Sequence, residues 1–146
     1  MKQYLVVCLG NICRSPIGEG WLRHAAMVRG CRVKVDSAGT AGYHVGEAPD
    51  RRSVAAMKAA GIDISGQRSR KFVRADFKKF DRILVMDQSN LRDVLALARG
   101  DEEAAKVALF DGTSDVPDPY YGGDDGFARV REQVRVAAES WLDTDF

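Results

Sequence analysis

Four short strand-like runs alternate with stretches of helical periodicity along this chain, and that alternation restricts the fold more than any other feature. Residues 4–8 (YLVVC), 83–86 (ILVM) and 107–110 (VALF) are continuous apolar runs, as expected of parallel strands covered on both faces. Residues 32–36 (RVKVD) alternate apolar with charged positions, which predicts a half-exposed edge strand. Between them lie helices. Pro16 suits a first helical turn, Ile17, Trp21, Ala25 and Val28 follow on one face, and Gly30 is the expected stop. A second helix is expected from about Arg51 to Ala60, before Gly61. A third starts after Asp87 or Ser89, carries Leu91, Val94, Leu95 and Ala98 on one face, and ends at Gly100. The last bears Phe127, Val130, Val134, Ala137, Ala138 and Trp141 as a stripe, which reads as core.

Strands and helices in this alternation predict an α/β fold: a four-stranded parallel sheet with helices on both faces. Right-handed crossovers from a central first strand give the order 2-1-3-4. That order reverses beside strand 1, and ligands of such sheets bind outside the carboxyl ends of the strands at the reversal. The segment leaving strand 1, CLGNICRS, lies there. Residues 37–49, 87–90 and 111–125 are loops of the same edge. The length, 146 residues, suits one domain spanning 1–146.

Composition removes several function classes. With 22 basic and 21 acidic side chains the formal charge is +1, so nucleic acid is not an expected partner. The one basic cluster, RSRK at 68–71, reads as a solvated face. No apolar stretch approaches the roughly 20 residues that span a bilayer, so no membrane insertion is expected. The opening MKQYLVVCLGN has too short an apolar run for a secretory leader. Three cysteines, at 8, 13 and 31, are an odd number; reduced thiols in a cytoplasm are the expectation. Cys8 and Cys13 are too far apart for a paired zinc-ligand spacing, and the histidines are only His24 and His44, so no metal is expected.

The loop after strand 1 carries the chemistry. A cysteine six positions before an arginine is weak evidence alone. Here the cysteine closes a buried strand, Gly10 permits a tight turn, Ser15 supplies a hydroxyl and Pro16 opens a helix. Backbone N–H groups from about Leu9 to Arg14, aided by the positive helix end, can converge on an anion. The planar fork of Arg14 can grip two oxygens of a tetrahedral oxyanion, as a lysine cannot. Cys8 then sits beneath the anion, its ionised form favoured by the same dipoles, by Arg14 and by a hydrogen bond from Ser15. A nucleotide cradle is excluded: there is no G-x-x-x-x-G-K-[ST] and no lysine for the β- and γ-phosphates.

These residues resemble the low-molecular-weight protein tyrosine phosphatases. The loop pattern C-x-G-N-x-C-R-S-P is met by Cys8, Gly10, Asn11, Cys13, Arg14, Ser15 and Pro16. SAGT at 37–40, YHVG at 43–46 with Pro49-Asp50, MDxSN at 86–90 and DPYY at 118–121 follow in order. The likeness covers essentially the whole chain and is nearest to bacterial members associated with exopolysaccharide synthesis. It implies Cys8 as nucleophile, Arg14 as phosphate clamp and Asp118 as general acid and base. Leu9, Gly10, Asn11, Ile12, Cys13 and Ser15 form the phosphate loop and its support, with Asn11 left-handed, a conformation asparagine tolerates. Tyr43, His44 and Tyr120 wall the cleft for a phosphotyrosine ring. One departure stands out: Gln67 occupies a position where the family often has a histidine that supports the loop asparagine.

Composition alone does not choose Asp118 from Asp111, Asp115, Asp124 and Asp125, although Pro117 and Pro119 stiffen its backbone. Tyr120 and Tyr121 read either as cleft wall or as phosphorylation sites. The implied reaction is hydrolysis of phosphotyrosine through a phosphocysteine, with inorganic phosphate as product and no metal or cofactor. The implied substrate is a phosphotyrosine-bearing protein such as a bacterial tyrosine kinase. Two rival functions use similar parts: an arsenate reductase of the same fold, which needs later cysteines that are missing after Cys31, and a phosphotyrosine-binding module without catalysis.

Overall fold

The computed structural model describes residues 1–146. In chain order the elements are β1 (Lys2–Cys8), α1 (Arg14–Arg29), β2 (Val33–Gly39), α2 (Arg51–Ala59), α3 (Asp76–Lys79), β3 (Arg82–Val85), α4 (Gln88–Leu95), α5 (Asp101–Ala104), β4 (Val107–Leu109) and α6 (Asp124–Asp145). The four strands form one parallel sheet in the order β2-β1-β3-β4, the order expected. Cys8 pairs with Gly39, Val7 with Val85, and Val85 with Leu109, so all four strands end at one edge. Cys8 is the last residue of the central β1, which puts the next loop at the reversal point.

The two faces of the sheet build two apolar layers, as period-two alternation requires. Tyr4, Val6 and Cys8 face α1 and α6, packing with Ile17, Leu22, Val130, Val134 and Leu142. Leu5 and Val7 face the other way, against Phe72, Phe77, Phe80 and Val94. Burying each such large side chain contributes about 1.5–3 kcal/mol, so the layers hold the strand ends in fixed relation. No helix is long and apolar enough to cross a membrane.

Two local expectations are corrected. The second strand runs on past Asp36 to Gly39 because its inner end is buried: Ser37 and Ala38 are inside, and hydrogen bonds satisfy the Ser37 hydroxyl. Gly39 is required there, since a Cβ would lie 2.8 Å from the Leu9 carbonyl oxygen and 3.2 Å from the Asn11 nitrogen. The third helix does not reach Gly100. It ends at Leu95, and the following amides bond three residues back, Leu97 to Val94 and Ala98 to Leu95. This tighter turn brings Ala98 onto the core and leaves Leu95 38% exposed, off the expected face. The short α3 and α5, four residues each, are too brief for a helical period to be read. The first strand begins two residues before expectation, at Lys2, and the remaining strand ends differ by at most one residue.

Candidate active site

The loop from Cys8 to Arg14 is braced through one asparagine. Asn11 has φ +57°, the single non-glycine residue in left-handed conformation. Its Nδ2 donates to Ser15 Oγ (2.7 Å) and to Ser37 Oγ (2.9 Å), while its Oδ1 accepts from the Arg70 amide (3.0 Å). These partners come from α1, β2 and the segment before α3, so three distant pieces of chain determine the loop. The Asn11 backbone N–H points to Cys8 Sγ at 3.2 Å, and Ser15 Oγ lies 3.0 Å from the same sulfur.

Proton counting gives this cluster a direction. Ser37 donates to the buried Glu19 carboxylate (2.7 Å), so toward Asn11 it can only accept. Asn11 spends its second amide hydrogen on Ser15. The single hydroxyl hydrogen of Ser15 is therefore left for Cys8 Sγ. Glu19 is 4% exposed, and Arg23 reaches its other oxygen at 2.9 Å. Burial pushes the Glu19 carboxyl above the usual range, with Ser37 and Arg23 pulling the other way.

Gln67, at the position where the family often has a histidine, does not belong to this cluster. Its Nε2 donates to the Pro16 carbonyl (3.1 Å) and its Oε1 is buried without a partner. Both Asn11 amide hydrogens go to Ser15 and Ser37, and its Oδ1 accepts from the Arg70 amide, so the loop asparagine is braced without Gln67. The bracing of the loop runs through β2 and Arg70 instead.

Arg14 opens α1 and is 2% exposed. Its Nη1 donates to Asp87 Oδ2 (2.6 Å) and to the Val116 carbonyl (3.0 Å). Its Nη2 stands 3.7 Å from Asp118 Oδ2. Asp87 is itself immobilised, because its Oδ1 caps α4 by accepting from the Asn90 amide at 2.8 Å. Burial works against the Arg14 charge, but Cys8, Asp87 and Asp118 outweigh it and raise its pKa. The guanidinium is thus a permanent cation with Nη1 committed to the protein and Nη2 beside Asp118.

Cys8 and Arg14 share a cleft of about 190 Å³ with the loop residues Leu9, Gly10, Ile12 and Cys13 and with Tyr43, His44, Asp118, Tyr120 and Tyr121. Asn11 and Ser15, 3% and 0% exposed, stand behind the cleft and support it. His44 packs over Gly10, where a Cβ would come within 3.1 Å of its Cδ2, and its Nδ1 pairs with Glu47 at 2.9 Å. This makes His44 part of the wall. Burial, then the nearby Asp50 and Cys8, push the Cys13 thiol up to about 12.

Geometry separates the five aspartates of the last loop. Asp111 accepts from Thr113, Ser114 and Gln133, and Asp115 from the Gln88 amide, all away from Cys8. Asp124 and Asp125 begin α6. Asp118 alone of the five lines the cleft. Sequence reasoning did not single out Asp87 or Glu19 as parts of the site. A glutamate between two glycines in the apolar stretch PIGEGW was the available signal for Glu19.

The model of the family described as "Low molecular weight phosphotyrosine protein phosphatase" matches residues 3–144. A low molecular weight phosphotyrosine protein phosphatase of Schizosaccharomyces pombe is 44% identical, covering 96% of this chain and 94% of its own. A protein tyrosine phosphatase from Entamoeba histolytica, solved with Hepes in its active site, superposes with a TM-score of 0.93 at 35% identity, covering 97% and 95% of the two chains. Vibrio vulnificus Wzb in complex with benzylphosphonate gives 0.88 at 30% identity, covering 98% of each. With the cysteine–arginine loop placed at the head of β1, these likenesses establish that the chain belongs to the low molecular weight phosphotyrosine protein phosphatase family.

Proposed function

We propose that the chain hydrolyses phosphotyrosine in two steps. The Cys8 thiolate attacks phosphorus in line, a sulfur–phosphorus bond forms, and the bond to the phenolic oxygen breaks as Asp118 protonates that oxygen. Water then attacks the phosphocysteine, giving its proton to the ionised Asp118 and releasing inorganic phosphate and the thiolate. Charge in the loose transition state lies on three equatorial oxygens, which Arg14 and the amides of the loop are proposed to receive.

The carrying observation is that Cys8 and Arg14, from the loop after β1, and Asp118, from the loop after β4, line one cleft with Tyr43, His44 and Tyr120. Aromatic walls above a recessed sulfur favour a long aryl phosphate over the shorter phosphoserine. The benzylphosphonate named with the Vibrio protein has that shape, an aromatic ring one atom from a tetrahedral phosphonate. The protein substrate is proposed to be a bacterial tyrosine kinase, on the motif resemblance to exopolysaccharide-associated members.

The test is release of phosphate from p-nitrophenyl phosphate and a phosphotyrosine peptide, without added metal or thiol-transfer protein. Turnover that Cys8→Ser abolishes, with inorganic phosphate still bound by the variant, supports the reading. Binding without turnover in the wild type would leave a phosphotyrosine-binding module. Arsenate-dependent thiol oxidation in place of hydrolysis would leave a reductase.

A further inference from the structure

The turn that carries Asp118 pairs with Arg14 at 3.7 Å and buries Pro119, but few hydrogen bonds hold it to the rest of the protein. Asp118 Oδ1 accepts from the Tyr120 amide (3.0 Å), and the Gly122 amide donates to the Pro119 carbonyl (3.0 Å). Both bonds are internal to the turn. The hydrogen bonds that enter residues 118–122 from elsewhere come from one side chain, Arg52. Its Nη2 donates to the Tyr120 carbonyl (2.9 Å) and its Nη1 to the Gly122 carbonyl (3.2 Å). The guanidinium also lies over the Phe127 ring, 4.5 Å from the centroid, and 5.5 Å from that of Tyr120.

The other side of Arg52 is tied to the phosphate loop. Its Nε and Nη2 each sit 3.1 Å from one oxygen of Asp50, a forked pair. Asp50 caps α2 by accepting from the Arg52 amide (2.8 Å), and its own amide donates to the Ile12 carbonyl (2.8 Å). Ile12 lies between Cys8 and Arg14 in the loop. Arg52 thus spans from the loop that holds the nucleophile to the turn that holds the acid.

We propose that Arg52 is a positioning residue: it seats the Asp118 turn against the phosphate loop so that the carboxyl reaches the leaving-group oxygen. This rests on the reading of Asp118 as general acid. A carboxyl displaced by an ångström transfers its proton poorly, whereas Arg14 keeps its shorter bonds to Asp87 and the Val116 carbonyl, and the loop its brace through Asn11, when that turn shifts. A planar fork is needed, because two carbonyls and a carboxylate must be met at once; a lysine offers a single point charge.

The experiment measures kcat/KM, which reads the phosphorylation step, across aryl phosphates of increasing leaving-group basicity for Arg52→Gln, Arg52→Lys, Asp118→Asn and the Arg52→Lys/Asp118→Asn double variant. Thermal unfolding and inhibition by inorganic phosphate check that each variant is folded with its cradle intact. The expected result for both Arg52 variants is a loss of about 10- to 100-fold with phenyl phosphate, only a few-fold with 4-nitrophenyl phosphate, and unchanged phosphate inhibition. In the Asp118→Asn background Arg52→Lys should cost nothing further, since the group it positions is already disabled. Additive losses, or equal losses with every leaving group, would overturn the proposal while leaving Asp118 as acid. If Asp118→Asn itself lacks the leaving-group slope, the acid assignment falls and this inference falls with it.

Discussion

Arg14 and Asp87, 73 positions apart in sequence, meet at 2.6 Å between Nη1 and Oδ2, and the other Asp87 oxygen is held by the first turn of α4. The carboxylate therefore joins the helix cap to the orientation of a buried arginine. Asp87→Asn can keep the cap through its one carbonyl oxygen but turns its amide toward the guanidinium. We expect phosphate inhibition to weaken about tenfold in that variant. Asp87→Ala loses the cap as well and strands a buried cation, at a cost of about 3 kcal/mol or more in urea unfolding. Unchanged phosphate inhibition in Asp87→Asn would show that Arg14 needs no such anchor.

Glu19 gives a pH signature of its own. Burial raises its carboxyl above the ordinary value, so between that value, about 4.3, and the raised one the folded chain holds a proton that the unfolded chain has lost. Stability from this group is present at low pH and declines as pH rises through the window. The urea midpoint of the wild type minus that of Glu19→Gln should be larger at pH 4 than at pH 7. A difference that stays constant, or grows with pH, would refute the assignment.

Asp145 is predicted to behave in the opposite sense. Arg82 donates to it at 2.9 Å through Nε and the Tyr4 hydroxyl at 2.6 Å, fastening the end of α6 to β1 and β3. The Arg82 hydrogen bonds, opposed by burial and helped by Tyr4, hold its carboxyl below the usual range. Its stabilisation is present above the unfolded value, about 3.9, and is lost as pH falls through the lowered one. Asp145→Asn should cost about 1–3 kcal/mol at pH 7 and progressively less on acidification below pH 4. Parallel stability curves for the two proteins would contradict this.

Cys13 lines the same cleft as Cys8, yet its thiol is pushed up to about 12 and stays protonated at neutral pH. It should not compete as nucleophile. Cys13→Ser is expected to retain kcat/KM within about threefold, while Cys8→Ser loses essentially all turnover. Comparable losses in the two variants, measured with p-nitrophenyl phosphate, would move the nucleophile.

Apolar runs and helical stripes are local signals, and they were sufficient to place four parallel strands, their order, and the cysteine–arginine loop at the head of β1. Ser15 beside the thiol was legible too, because the two lie seven positions apart in one motif, and the left-handed Asn11 was implied by the family resemblance; its bonds to Ser37 and Arg70 were not legible. Other features depended on contacts between distant segments. Asp118 differs from its four neighbouring aspartates only in facing Arg14 across the cleft. Gln67 faces Pro16 and not Asn11, and Asp87, Glu19 and Arg52 acquire their partners when β2, α2, α4 and the last loop close around β1. A periodic pattern records which side of an element is buried; it does not record which polar group waits on the far side. That is decided by how helices and loops converge at the strand ends, where a one-residue shift in a loop exchanges one hydrogen-bond partner for another.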